Sequence, residues 1–162
     1  RKYIQKKNQP FLVLNGDTFF PINLVQLEKK FRKSRSDVTI ALFRARESGR
    51  YGAAKQDDQG LIKLTNEKAK TGESANGGIF MIEPTKLDLI RNINLPWSFE
   101  SDFLPALARL GGQVTGMTFN EPFIDIGLPQ DYLRFCENMR SQQLLEKRTI
   151  WCEETSNRRA TI

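Results

Sequence analysis

Residues 11–14, Phe-Leu-Val-Leu, form a continuous apolar run without alternation, the pattern of a strand buried on both faces in a parallel sheet. Asn15-Gly16-Asp17-Thr18 interrupts it. Leu24, Leu27 and Phe31, with Val25 and Glu28 alongside, then make an apolar stripe at helical spacing. Asn23 can cap that helix, and its pattern stops near Ser34. Residues 37–43 read as the next strand. Strand, helix, strand in this order predicts a βαβ unit with a right-handed crossover.

Beyond this unit the pattern shortens. Residues 51–55 are extended, Asp57-Asp58-Gln59-Gly60 is a turn signal, and Leu61-Ile62-Lys63-Leu64 returns, which together predict a β-hairpin. Residues 68–76 are polar and predict a loop, and residues 78–82 a buried strand. Pro84 suits the first turn of a helix reaching Leu87 and Ile90. Residues 99–110 carry Phe103, Leu104, Leu107 and Leu110 on one helical face, with Pro105 inside to kink or restart it and Gly111-Gly112 to end it. Residues 114–119 and 123–126 read as strands. Pro129 opens a last helix with Tyr132, Leu133, Phe135, Cys136 and Met139 on its apolar side. The periodicity decays after about Arg148, so the expected organisation is one domain over 1–148 and a tail over 149–162.

Composition narrows the classes. With 162 residues, 39% hydrophobic and 27% charged, the chain has the make-up of a globular domain rather than a disordered segment. No apolar run approaches the roughly 20 residues of a membrane helix. The chain opens Arg1-Lys2-Tyr3 without a signal peptide, as a fragment would, and Cys136 and Cys152 read as cytosolic thiols, so the expected location is cytoplasmic. Histidine is absent, which excludes Ser-His-Asp and Cys-His machinery and histidine-ligated zinc. The net charge of +6 gathers at Arg1, Lys2, Lys6 and Lys7 and again at Lys29, Lys30, Arg32, Lys33 and Arg35. No aromatics interleave with these charges as a nucleic-acid stacking platform requires, so a solvated helix face and a loose terminus are the preferred reading, with no nucleic-acid partner.

Five features carry candidate chemistry. Asp17 follows a buried strand through Asn15-Gly16, and ligands of open α/β sheets bind beyond the carboxyl ends of strands. An ordinary turn with a solvated carboxylate accounts for it equally well. Asp125 lies between apolar residues in Phe-Ile-Asp-Ile-Gly, where a carboxylate is costly unless paired or metal-bound. Two such carboxylates are what one Mg2+ takes alongside substrate phosphates. A structural aspartate accepting backbone hydrogen bonds is the alternative. Asn66-Glu67-Lys68 offers a phosphate-neutralising lysine or a plain surface ion pair. Asn76-Gly77-Gly78 suits close backbone approach to a ligand or a bulged strand entry. Glu100, in Ser98-Phe99-Glu100, can bind hydroxyls or simply favour a helix start.

Taken in order, Leu-Asn-Gly-Asp-Thr, Gly-Arg-Tyr-Gly, Asp-Gln-Gly-Leu-Ile, Glu-Lys, Asn-Gly-Gly-Ile-Phe, Ser-Phe-Glu-Ser-Asp-Phe-Leu-Pro and Phe-Ile-Asp-Ile-Gly-x-Pro-x-Asp-Tyr resemble the sugar-1-phosphate nucleotidyltransferases, most closely the guanylyltransferases of mannose-like or heptose 1-phosphates. The resemblance runs from about Phe11 to Met139. It implies a Rossmann-like α/β fold with a mixed, mainly parallel sheet flanked by helices, incomplete at its N-terminus, and a small hairpin subregion. It implies that Asp17 and Asp125 hold a catalytic Mg2+, that Gly52 lies against the sugar, and that Glu67 contacts sugar hydroxyls. Lys68 grips the sugar phosphate, while Asn15, Gly16, Asn76, Gly77 and Glu100 line the sugar side. A nucleoside triphosphate, GTP by this resemblance, and a sugar 1-phosphate are the implied partners. A homo-oligomer is compatible with the sequence but not specified by it.

Two departures stand against the family pattern. Leu128 occupies the place of the usual Thr or Ser after Ile-Gly. The Gly-rich loop G-x-G-x-R and its Pro-Lys step do not occur in these residues and are expected upstream of Arg1. They motivate the alternative of a catalytically incomplete member acting as a sugar-phosphate-binding regulatory or assembly subunit.

Overall fold

The computed structural model describes residues 9–90 and 98–140. The chain falls into two compact units: one holds the stretch up to Asn15 together with Leu24–Asn120, the other Gly16–Asn23 together with the residues from Glu121 onward. The predicted tail over 149–162, its boundary at 148 and Cys152 lie outside the described residues.

The first unit is built on a sheet whose organising strand is β6 (Ser74–Ile82). Strand β3 (Val38–Arg44) lies along one of its edges, from Val38↔Ile82 to Arg44↔Ser74. Its other edge is shared: β1 (Phe11–Leu14) covers the C-terminal half, and β4 (Gly52–Gln56) meets it at Ala53↔Ala75. β5 (Ile62–Lys68) extends the sheet beyond β4, and β7 (Val114–Phe119) runs beside β3.

The mixed α/β class is as expected, but the balance of strand directions is not. Among the described residues β3–β7 is the parallel pairing of this sheet, while β6 is antiparallel to β1, β3 and β4, and β4 to β5. Short connections reverse the chain, whereas parallel neighbours need a long crossover. Between β3 and β6 the chain makes only short connections around the β4–β5 hairpin, so antiparallel pairing follows. β1 and β3 still run parallel to each other on the two sides of β6, joined through helix α1 (Leu24–Ser34). The apolar run of β1 is half-buried, with Leu14 exposed, so it is not a strand buried on both faces. That role falls to β3, buried from Val38 to Phe43.

Elsewhere one sequence expectation holds and three shift. The hairpin turn is where predicted, with the Asp57 carboxylate accepting from the Gln59 and Leu61 amides and Gly60 at φ 81°. The predicted loop over 68–76 is shorter, because β6 begins at Ser74. Its polar Ser74 and Asn76 pair with Arg44 and Leu42, and tertiary pairing overrides their composition. The predicted helix over 99–110 is split into a π-type turn, Phe99–Phe103, and α2 (Leu104–Arg109). Pro105 sits in the first turn of α2, where its missing N–H costs nothing, so it restarts the helix rather than kinking it. The segment Pro84–Ile90 is a 3-10 helix.

One core face gathers Val38, Ile40 and Leu42 of β3 with Ala54, Ile62, Phe80, Ile82, Phe103, Leu104, Leu107 and Val114. Phe99 stacks 4.7 Å from Phe80 and 4.8 Å from Phe103. Helix α1 buries Leu27 and Phe31 and ends where Arg35 turns to φ 51°, with Arg32 and Lys33 near its negative end. Below it, four hydroxyls converge. Ser36 Oγ lies 2.8 Å from Thr39 Oγ1, which lies 3.0 Å from Thr115 Oγ1, and Ser34 Oγ lies 2.9 Å from Ser36 Oγ.

The second unit holds a two-stranded antiparallel ladder, β2 (Thr18–Phe19) with β8 (Ile124–Asp125), and helix α3 (Pro129–Arg140). Phe135 packs on Phe19 with ring centroids 5.0 Å apart, and Phe20 meets Phe123 edge-on. Tyr132 and Leu133 are 52% and 62% exposed, so they do not belong to the packed side of α3 as predicted. The helix is turned to bury Asp131, paired with Arg134, and to bring Phe135 onto Phe19. No helix among the described residues is long and apolar enough to cross a membrane.

Candidate active site

The two aspartates come together on the β2–β8 ladder. Asp125 pairs in register with Thr18, the neighbour of Asp17, and the Ile126 amide donates to the Asp17 carbonyl at 2.8 Å. Both carboxylates face the bare Cα of Gly127. A Cβ placed there would lie 3.1 Å from Asp125 Oδ1 and 3.6 Å from Asp17 Oδ2. The Gly127 amide donates to Asp125 Oδ1 at 3.0 Å and fixes that carboxylate's rotation. Leu128, the departure from the family pattern, is 53% exposed, and the Gly127 amide keeps its carboxylate partner beside it.

Hence two hard oxygen donors and a glycine cradle suit a divalent cation. Among the described residues no group of three or more His, Cys, Asp or Glu is positioned to hold a metal. A cation here would take few protein ligands and complete its shell from other oxygens, the habit of a hard divalent ion and not of a closed structural zinc site.

In the other unit, several of the residues that the family resemblance places on the sugar side gather at a bulge in β6. The register with β3 runs Ile40↔Phe80 and then Leu42↔Asn76, so residues 77–79 stand against Ala41 alone. Gly78 takes φ 70°, a conformation that favours glycine. Asn76 is held at both ends of its amide: Oδ1 accepts from the Gly78 amide at 3.0 Å, and Nδ2 donates to Glu100 Oε1 at 2.5 Å. Asn15, at the end of β1, donates its backbone N–H to the Gly78 carbonyl at 2.8 Å. Asn15, Asn76, Gly77 and Glu100 are therefore brought to one place. Gly16 is exposed, with nothing within 4 Å of where a Cβ would stand.

Gly52 and Lys68 face each other across β4 and β5. The Lys68 ammonium donates to the Arg50 carbonyl at 3.2 Å. A Cβ on Gly52 would sit 3.5 Å from the Thr65 carbonyl oxygen, an ordinary contact, so the fold itself does not demand glycine there. Glu67 is turned elsewhere: its carboxylate is paired with Lys55 on the neighbouring strand. The Lys55 hydrogen bond and charge hold the Glu67 carboxyl below the usual range, with Lys70 adding a little and desolvation opposing. Glu67 and Lys68 thus carry different partners rather than pairing with each other.

Lys55 and the cradle role of Gly127 escaped the sequence reading. Nothing in the pattern marks Lys55, whereas the Asp-x-Gly spacing of Asp125 and Gly127 was a usable signal. A cleft of about 450 Å³ beside the hairpin, lined by Leu42, Arg44, Lys55, Glu73 and Thr118 among others, includes none of the predicted site residues.

Comparison with known proteins gives these residues a context. The Nucleotidyl transferase family model matches residues 1–142. A D-glycero-alpha-D-manno-heptose 1-phosphate guanylyltransferase of Campylobacter jejuni is 36% identical over 135 residues, covering 82% of this chain and 57% of the Campylobacter protein. A mannose-1-phosphate guanylyltransferase catalytic subunit beta of Drosophila pseudoobscura is 31% identical over 127 residues, covering 77% of this chain and 33% of that protein. Crystalline HddC from Yersinia pseudotuberculosis, in complex with GMP-PN, superposes with a TM-score of 0.67 at 28% identity, covering 85% of this chain and 58% of that one. The chain spans little more than half the length of the bacterial relatives. Because the family match runs through both the carboxylate ladder and the Asn76 bulge, the chain belongs to the nucleotidyl transferase family.

Proposed function

We propose that this chain carries the metal and sugar-phosphate side of a sugar-1-phosphate nucleotidyltransferase acting on a heptose or mannose 1-phosphate with GTP. Relatives named for these substrates support the reading. An oxygen of the sugar phosphate forms a bond to the α-phosphorus of the triphosphate, and the α–β bridging bond breaks with its electron pair leaving on pyrophosphate. The nucleophile needs no general base, since a phosphate monoester with a second pKa near 6 is already ionised at neutral pH. A chain with no histidine suits such chemistry.

Asp17 and Asp125 would hold Mg2+, which when bound neutralises charge where two anions must meet. Lys68 holds the sugar phosphate as a point charge. Asn76, with its amide fixed between Gly78 and Glu100, keeps one Nδ2 hydrogen for a sugar hydroxyl, and the Glu100 carboxylate offers acceptors beside it. Glu67 reaches hydroxyls by exchanging its Lys55 partner. Gly52 and Gly77 supply close backbone approach on the sugar side, and Gly16 does so beside Asp17 on the metal side.

The observation that carries this reading is the pair of carboxylates facing one point above Gly127. The test is pyrophosphate release by the complete protein from GTP with mannose or heptose 1-phosphate, with and without Mg2+. Metal-dependent release is expected. Binding of sugar phosphate without turnover would favour the regulatory-subunit alternative, and neither binding nor turnover would end the sugar reading.

A further inference from the structure

Asn15 closes β1, and Gly78 lies in the bulge of β6 just beyond the last β1–β6 pair, Leu14↔Ile79. Besides the backbone hydrogen bond between them, the Asn15 side chain rests on the bare Cα of Gly78. A Cβ built on Gly78 would stand 2.8 Å from Asn15 Nδ2, 2.9 Å from its Cγ and 3.1 Å from its Cβ. The carboxamide therefore occupies the volume that any other residue at position 78 would claim. Side-chain and backbone contacts continue in series. The Gly78 amide donates to Asn76 Oδ1, and Asn76 Nδ2 donates to Glu100.

A bulge that sets residues 77–79 against one residue, with glycine at 77 and 78, loses ladder pairing with β3 there and gains backbone freedom from its two glycines. On its other edge the bulge meets the end of β1 through the Leu14↔Ile79 pair, the Asn15 N–H on the Gly78 carbonyl and the Asn15 side chain over the Gly78 Cα. We propose that Asn15 is a positioning residue. It wedges the Gly77-Gly78 bulge so that Asn76 presents its amide to Glu100, and it governs sugar-phosphate affinity without itself touching the sugar. This rests on the sugar reading of the Asn76 site.

The test is calorimetric binding of mannose 1-phosphate, with Mg2+, to the full chain and to four variants. Asn15→Ala is expected to weaken binding at least tenfold. Asn15→Leu, which keeps the branched wedge and loses the amide, is expected to recover most of it. Gly78→Ala should weaken binding more than Asn15→Ala does, and combining it with Asn15→Ala should restore part of the loss by making room. If Gly78→Ala does not fold, the comparison of alanine with leucine at position 15 decides. Unchanged affinity in Asn15→Ala overturns the inference, as does Asn15→Leu binding as poorly as Asn15→Ala, which would place the carboxamide on the sugar itself. A mere loss of melting temperature at constant affinity also overturns it. No binding by the unaltered chain would remove the sugar reading, a different failure from binding that ignores position 15.

Discussion

Placing a methyl group on Gly127 probes the carboxylate pair without touching either carboxylate. The backbone there is not in the left-handed region, so alanine brings no conformational strain of its own. Position 127 is exposed, and a surface substitution of this kind changes stability by about 0.5 kcal/mol or less. The new carbon, however, would lie 3.1 Å from Asp125 Oδ1 and 3.6 Å from Asp17 Oδ2. The first distance is tighter than a relaxed contact, so the carboxylate must give by a few tenths of an ångström or turn. Turning breaks its 3.0 Å bond from the Gly127 amide. Mg2+ demands near-ideal geometry at about 2.0–2.1 Å from its oxygens and tolerates such displacement poorly. Disturbing groups that orient metal ligands typically costs about 10–100-fold in metal affinity, equivalent to about 1.4–2.8 kcal/mol. The assay is a Mg2+ titration by calorimetry, with circular dichroism melting as a control. The expected result is at least a tenfold weaker metal midpoint with the melting temperature within a few degrees. An unchanged midpoint in Gly127→Ala would mean that no cation sits between these carboxylates.

Asp17→Ala or Asp125→Ala in the complete protein should lower the rate of pyrophosphate release by several orders of magnitude while leaving the far-ultraviolet spectrum intact; unfolding instead of inactivation would mark a structural carboxylate. Lys68→Ala should weaken sugar-phosphate binding by about 1.5–3 kcal/mol, the worth of a charged hydrogen bond, and calorimetry showing no change would remove Lys68 from the site. Lys55→Ala should let the Glu67 carboxyl rise toward its ordinary value, read by NMR titration of the side chain. With Lys55 present, the small stabilisation from this exposed pair holds above the ordinary carboxylate pKa and disappears as pH falls through the depressed one. An unmoved Glu67 titration would show that Lys55 is not its cause.

Much of the fold was readable because apolar spacing decides it. The limits of α1 and β7, and the start of α3 at Pro129, follow their stripes and caps closely. Strand direction was not readable: the run at residues 11–14 has the composition of a doubly buried strand, yet composition cannot say which neighbour it meets. The start of β6 was hidden because Ser74 and Asn76 are polar like a loop yet pair with Arg44 and Leu42. β2, only two residues long, leaves no periodicity to read. Asp17 and Asp125 in one unit, and the Asn-Gly-Gly run in the other, were visible as carboxylates at strand ends and glycines beside a strand. The partners of Glu67 and Asn15 were not, because Lys55 and Gly78 meet them through folding rather than through spacing.

The hydroxyl quartet beneath α1 has a consequence in proton counting. Ser34 Oγ donates to the Lys30 carbonyl at 2.9 Å, and Thr115 Oγ1 donates to Ser36 Oγ at 3.0 Å. The protons of Ser36 and Thr39 then remain for the contacts Ser34–Ser36, Ser36–Thr39 and Thr39–Thr115, and the 3.3 Å approach of Ser34 to Thr115 is left without one. Ser36 can donate to Ser34 or Thr39, and Thr39 to Ser36 or Thr115, so more than one hydrogen pattern fits the same oxygen positions, and a knot that alternates between patterns keeps entropy that a fixed one forfeits. Because Thr115 arrives 76 residues after Thr39, the knot ties only when β7 docks. Slow exchange of these hydroxyl protons would report that the sheet has closed.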